Sequence, residues 1–284
     1  MTTHHGTDVP MDRLFARAEE KGLHGRRVSA EAPPPAASVP KRLPAGQSPH
    51  SLAVSADETR LYVTNFQPGT VSVVDISSET VIATTHATEG PYGVALSPTG
   101  RRLHVAGPSR NALVDIQLPQ LLSTDSHFGH SPYGVAAGAD ARVYLTLALE
   151  DSVLVTDAFA KPVFAVIQRI DFPTGVAVSP DETRLYVTNY FSDSVSVVDL
   201  SSETVIDTIP LSEGPYGVAV SRDGARLYVA HFPFDSVSVI DTSSLAVIDT
   251  IPVADGPRGV AVNQDGTRLY VTNFFANSVS VISL

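Results

Sequence analysis

The chain contains no cysteine, which excludes a disulfide framework and any chemistry that needs a thiolate. No stretch approaches the roughly 20 apolar residues that a membrane-crossing helix requires. Residues 1–6, Met-Thr-Thr-His-His-Gly, open without the apolar segment of a signal peptide. A cytoplasmic protein with no membrane contact is therefore expected. Basic residues are scarce: 19 Lys and Arg stand against 30 Asp and Glu, a net charge of −11. The imbalance is concentrated after residue 48, where 12 basic residues face 25 acidic ones. Such a body repels phosphate backbones, so nucleic acid is not an expected partner. Compact catalytic signatures are missing too, with no nucleophile elbow, phosphate loop, HExxH pair or dinucleotide-binding glycine pattern.

What the chain does have is a repeat. A Pro-x-Gly-Val-Ala segment or a close variant returns six times, at Pro49, Pro91, Pro132, Pro173, Pro215 and Pro257, spaced by 42, 41, 41, 42 and 42 residues. Self-similarity at this period marks a stack of supersecondary units. Each unit carries segments rich in Val, Ile, Tyr and Thr that alternate with period two, as in Arg184 to Thr188 and Ser194 to Val198. These read as strands with one packed face. Helical periodicity is absent from the repeats. Four strands in about 42 residues is the blade of a β-propeller, in which radial closure removes long exposed edges.

The ends of the sequence complement each other. The last repeat stops after its third strand, at Leu284, and residues 38–44 supply a strand ending five residues before Pro49. The fold expected is all-β: a six-bladed propeller of four-stranded antiparallel blades over residues 38–284, closed by this N-terminal strand completing the last blade. Residues 1–37 are expected to form an extension: a short amphipathic helix over residues 8–24, with Met11, Leu14, Phe15 and Ala18 on one face, then a proline-rich linker at residues 32–37.

Leu61-Tyr62-Val63-Thr64-Asn65 returns as Leu185 to Asn189 and as Leu269 to Asn273. These motifs, with the flanking Ser-Val-Ser-Val-Val-Asp and Pro-Tyr-Gly-Val-Ala segments, resemble the YVTN-repeat β-propeller family over residues 38–284. The resemblance implies the fold and no single reaction. Blades two and three depart from the motif at Leu103 to Gly107 and Val143 to Leu147. Related lactonase-like propellers hold an axial calcium. Here the axial ring offers no carboxylate, so neither that metal nor another cofactor is expected.

The repeat also serves as a register. Immediately after the proline come His50, Tyr92, Tyr133, Thr174, Tyr216 and Arg258. A ring this varied admits two readings: it fills the channel, or it lines a pocket where Arg258 pairs with an anion and His50 binds or moves a proton. Loops nearby add Phe66, Tyr190, Phe191, Phe232, Phe234, Phe274 and Phe275 on the arc of blades one, four, five and six. His231 replaces a repeat asparagine and is expected to face His50 or Arg258 across the mouth. His86, His127, His130 and His104 fall in one sector, yet their spacing matches no compact metal motif. Asp75, Asp115, Asp157, Asp199 and Asp241 read as turn-forming residues at the end of the third strand. The expected function is binding of a small molecule or a peptide at an aromatic-lined mouth, with Tyr92, Tyr133, Thr174, Tyr216, Phe66, Tyr190, Phe232 and Phe274 as contacts. The alternative is a cofactor-independent enzyme of lyase, cyclase or lactonase type, in which His50, His231 and Arg258 act.

Overall fold

The alternating segments form strands because each places its Val, Leu and Tyr side chains on both sheet faces, against neighbours in front and behind. The computed structural model describes residues 41–284 except 128–130, 140, 158–162, 213 and 233. The expected helix, the linker and the boundary at residue 37 lie outside the described residues. Within these, the chain builds six antiparallel four-stranded sheets, a six-bladed propeller. Its helical content is two single 3-10 turns, Pro108–Arg110 and Ala148–Glu150. Blade four shows the unit in its regular form: Pro173–Val178, Arg184–Asn189, Ser194–Asp199 and Thr204–Pro210. Between blades, apolar side chains form sealed clusters. Tyr186, Val195 and Val197 of blade four meet Leu227, Val229 and Ile240 of blade five, all of them buried.

In the sixth sheet the fourth strand is Lys41–Pro44, paired antiparallel with Ser278–Ser283. Leu43 is its inward anchor, buried among Leu52, Leu61, Val63, Val74, Tyr270 and Val279.

The Pro-x-Gly segment is the innermost part of a blade, and it is not a regular strand. In blade one Pro49 pairs with Asn65 and Leu52 with Val63, so His50 and Ser51 together oppose Thr64 alone. The same bulge interrupts blades three to six. A bulge of this kind re-aims the side chains it displaces, and here it turns the residue between proline and glycine toward the axis. In the five blades other than blade one a glycine follows, required by crowding and not by its backbone angles. A Cβ at Gly134, Gly175 or Gly217 would overlap the carbonyl oxygen of Thr174, Tyr216 or Arg258 in the next blade.

At this crowded point the threonine of the Tyr-Val-Thr-Asn segment stitches blade to blade. Thr188 Oγ1 accepts from the Gly175 amide (2.7 Å) and donates to the Tyr216 carbonyl (2.6 Å). Thr64 donates likewise to Tyr92 and Thr146 to Thr174. Thr272 closes the circle from blade six onto the His50 carbonyl (2.9 Å) while accepting from Gly259 (2.7 Å). Blades two and five have Ala106 and Ala230 in the threonine's place; in blade two the Gly93 amide reaches the Tyr133 carbonyl directly (2.8 Å). A second set of bridges lies at the mouth. Asp151, Asp193, Asp235 and Asn277 all sit at positive φ. Their side chains accept from the amides of Phe172, Gly214, Gly256 and Ser48 in the following blade.

Two stability predictions follow from this construction. Leu43→Ala is expected to cost about 2–5 kcal/mol by opening a cavity under blade six; a urea midpoint equal to wild type would detach Lys41–Pro44 from that core. Thr272→Val should cost about 1–3 kcal/mol by orphaning the Gly259 amide and the His50 carbonyl, measured by the same unfolding titration, with no loss if the bridge is dispensable.

Candidate functional site

The six residues that follow the repeat proline converge on the axis, and His50, Tyr92, Tyr133, Tyr216 and Arg258 are linked by side-chain contacts. All are buried, with His50 3% and Arg258 2% exposed. The ring centroids of His50 and Tyr92 lie 4.1 Å apart, and those of Tyr92 and Tyr133 4.6 Å. Across the axis, His50 Nε2 is hydrogen-bonded to the Tyr216 hydroxyl (3.1 Å). Thr174 turns its hydroxyl away to Thr188 Oγ1 and the Tyr216 carbonyl. The ring therefore closes the channel as a layer of packed side chains.

The loop aromatics and the ring do not line a common pocket. An axial cavity of about 280 Å³ is lined by the first strands of all six blades, from the ring residues down to Ala137, Val220 and Val262. Phe66, Tyr190, Phe232 and Phe274 are not in its wall. They stack on the ring's other side: Phe66 against Tyr92 (5.6 Å), Tyr190 and Phe232 against Tyr216 (6.1 and 5.9 Å), and Phe274 against His50 (6.4 Å). Phe234 and Phe275 complete this cup and remain exposed. The layer thus has an aromatic face toward the loops and a cavity beneath it.

Phe172 was not among the residues read from the repeat, yet it is fully buried and packs on Tyr133, Tyr190 and Phe191. It adopts a φ of 48° in a position that is glycine, also at positive φ, in blades two, five and six. A phenylalanine in a glycine slot was the available signal.

Arg258 is the group that ordinary packing does not account for. Its guanidinium lies 3.8 Å from the Phe274 centroid, 4.3 Å from Phe232 and 5.3 Å from Tyr216. None of the ion pairs among the described residues involves it, and its Nε has no hydrogen-bond partner. Each desolvated aromatic face is worth about 2 kcal/mol to a cation, against a desolvation cost of several kcal/mol per buried ion. The unmade charged hydrogen bond adds a further penalty of at least about 1–3 kcal/mol. The aromatic box offsets the burial without satisfying the donors.

The ring's other polar groups are held neutral. Burial, and then the Arg258 cation, push His50 well below the usual 6.5. Burial raises the Tyr133 and Tyr216 phenols, so both keep their protons. The Tyr133 hydroxyl makes no hydrogen bond of normal geometry. The layer presents one fixed positive charge, and the Tyr133 O–H faces Tyr92.

His231 lies elsewhere. It pairs in register with Ser236, and its Nε2 is bonded to Ser238 Oγ (2.7 Å) inside blade five. Asn65 and Asn189 make the matching bonds to Ser72 and Ser196, so the imidazole stands in for the repeat amide. Asp75, Asp199 and Asp241 accept from the two serines that follow each of them, which brings them down to about 2. Asp115 differs from its expected place. It pairs with His104 two positions before the strand end, is buried, and meets the Arg102 guanidinium; Gln117 occupies the turn position. No group of three metal-ligating side chains occurs among the described residues. His130 and the His127 side chain lie outside them.

The histidines give a pH signature. A buried neutral imidazole binds fewer protons than its unfolded counterpart once pH falls below about 6.5, so stability declines on acidification. His104, lowered mainly by burial, acts in the same direction. The Asp turns titrate far lower and leave this window clear. The melting temperature is expected to fall between pH 7.5 and 5.5, and His50→Asn to flatten part of that slope; an unchanged slope would mean His50 is not held neutral.

Comparison with known proteins agrees on architecture. No curated protein matches the chain in sequence. Among solved structures, Kuenenia stuttgartiensis hydrazine synthase superposes with a TM-score of 0.67 at 18% identity, covering 89% of this chain and 99% of that one. A functionally unknown protein from Desulfotomaculum acetoxidans gives 0.66 at 15% identity, over 84% and 83%. At these identities the likeness concerns the fold alone. The YNCE-like beta-propeller family model matches residues 27–284, and the chain belongs to that family.

Proposed function

We propose that this protein is a ligand-binding propeller that holds a small molecule in the axial cavity, against the layer formed by His50, Tyr92, Tyr133, Tyr216 and Arg258. One observation carries the reading: Arg258, a buried guanidinium with an unpartnered Nε, belongs to the layer that caps a cavity lined by the first strands of all six blades. A buried cation left without a partner is a standing free-energy deficit, and a bound ligand can remove it. The cavity volume sits near the lower end of the range for small-molecule pockets, roughly 300–1,000 Å³. Within the family we take the repeats to be of YVTN type, on the strength of residues 61–65, 185–189 and 269–273.

A binding role has more support than catalysis. His50 and the phenols are held in their neutral forms, which suits hydrogen bonding better than proton transfer. His231 is committed to Ser238 within its own blade. The hydrazine synthase chain shares only the fold and lends no chemistry to this one.

Equilibrium dialysis against a defined mixture of organic acids, amines, sugars and amides tests the proposal, with retained compounds identified by mass spectrometry. Wild type should retain at least one compound. Ala137→Phe, which narrows the cavity at its far end, should release it while melting within a few degrees of wild type. Retention undiminished in Ala137→Phe would place binding outside the cavity and refute the proposal.

A further inference from the structure

We propose that the aromatic cup on the loop face is a second site, separate from the axial cavity, and that it docks a cationic peptide segment of another protein. The surface is apolar and open to solvent. Its rings run from Phe66 through Phe274 and Phe275 to Phe232 at centroid spacings of 6.2, 5.3 and 5.6 Å, and Phe234 extends it against Gly214. Phe275 is 53% exposed and Phe234 36%. An extended chain rises about 3.3 Å per residue, so the run of rings matches several residues of a peptide and not a single side chain. Large aromatic rings held in water on the loops of a rigid scaffold mark a partner surface.

The partner's charge is set by the rim. Among the described residues, the loops joining fourth strand to first and second to third carry seven carboxylates against two guanidinium groups, those of Arg110 and Arg169. Arg110 is already paired with Glu89. The arginines that open the second strands, such as Arg60 and Arg184, lie at the opposite ends of the blades and leave the mouth uncompensated. Carboxylates and rings are interleaved. Asp235 accepts from the amide of Gly256 (3.0 Å), the residue after Asp255, and a Cβ on Gly256 would strike the Phe275 ring. Asp235 and Asp255 therefore lie beside the most exposed ring of the cup, and no ion pair among the described residues involves either. Burial, and to a lesser degree the Asp255 charge, raise the Asp235 carboxyl, a repulsion that an arriving cation relieves. Arg258 beneath the cup is 2% exposed and packs on Phe274 and Phe232, not on these carboxylates. A segment alternating Lys or Arg with Leu or Phe fits this surface, its apolar side chains covering the rings and its cations meeting the carboxylates and ring faces. An acidic segment would meet the same rim with repulsion.

The test challenges the immobilised full-length protein at pH 7.5 with a synthetic octapeptide pool randomised over Lys, Glu, Leu, Phe, Ser and Gly, and sequences the retained peptides by mass spectrometry. Retained peptides should be enriched in Lys together with Leu or Phe and depleted in Glu. The best of them, labelled and followed by fluorescence anisotropy, should lose at least about five-fold in affinity to Phe275→Ala. Asp235→Asn combined with Asp255→Asn should weaken it several-fold and flatten its salt dependence. The bridge to Gly256 survives that change, because asparagine also accepts from an amide, as Asn277 does from Ser48. Ala137→Phe should leave peptide binding unchanged, which separates this face from the axial cavity. Enrichment in Glu, or retention of no peptide, would overturn the proposal. So would Lys enrichment that persists undiminished in Phe275→Ala, since that is attraction to the acidic body at large.

Discussion

The closeness of six backbones at the axis is the constraint on which the rest of this propeller depends. Adjacent inner strands approach so closely that five of the six blades carry a glycine there, Ser51 standing in blade one, and at Gly217 even a methyl group would strike the Arg258 carbonyl. Threonine makes that closeness tolerable, because one hydroxyl satisfies an amide on its own blade and a carbonyl on the next. In blades one, three, four and six its loss would leave two buried backbone groups without partners, at about 1–3 kcal/mol; blade five carries Ala230 in its place and has no such bridge. The motif reads as strand sequence, yet its threonine acts as an inter-blade bridge. Blade two, where Ala106 replaces it, finds the direct amide-to-carbonyl bond instead, and its inner strand shortens to Val94–Leu96.

The same crowding produces the candidate site. With glycine fixed by its neighbour's carbonyl and proline fixed in the ladder opposite the last residue of the second strand, the residue between them is carried by the bulge toward the axis. Its identity is free, because nothing else in the blade depends on it. Natural variation there yields a histidine, three tyrosines, a threonine and an arginine in mutual contact. Specific recognition in a symmetric scaffold arises where the scaffold imposes no residue of its own.

Much of this was legible in the sequence, and the limits are physical. The period and the alternation give blade count and strand order, because both follow from side-chain direction along a strand. The ring at the axis was legible as a register. Its burial was not, because bulges and packing against Phe66, Phe232 and Phe274 are decided by tertiary contacts. Asp115 shows where residue type misleads: it follows Asp75 by 40 residues and not 42, and those two positions move it from a solvated turn into a buried pair with Arg102. His231 looked like a departure with chemical purpose and proved to be an imidazole doing an amide's work. The bridging Asp151, Asp193, Asp235 and Asn277 were present at regular spacing but escaped notice, since polar residues in turns invite a local explanation.

The pairing of Lys41–Pro44 with Ser278–Ser283 has a temporal side. The two strands lie some 240 residues apart in sequence, so a ribosome delivers one of them well before its partner. Five blades can be assembled while Leu43 still has no sheet to join. Until the sixth arrives, the nascent ring stays open and the flank of blade one lacks its neighbour. Loop closure over that distance is slow relative to hairpin formation. The interval in which the propeller is most exposed to mispairing is therefore the one just before Ser278–Ser283 emerges.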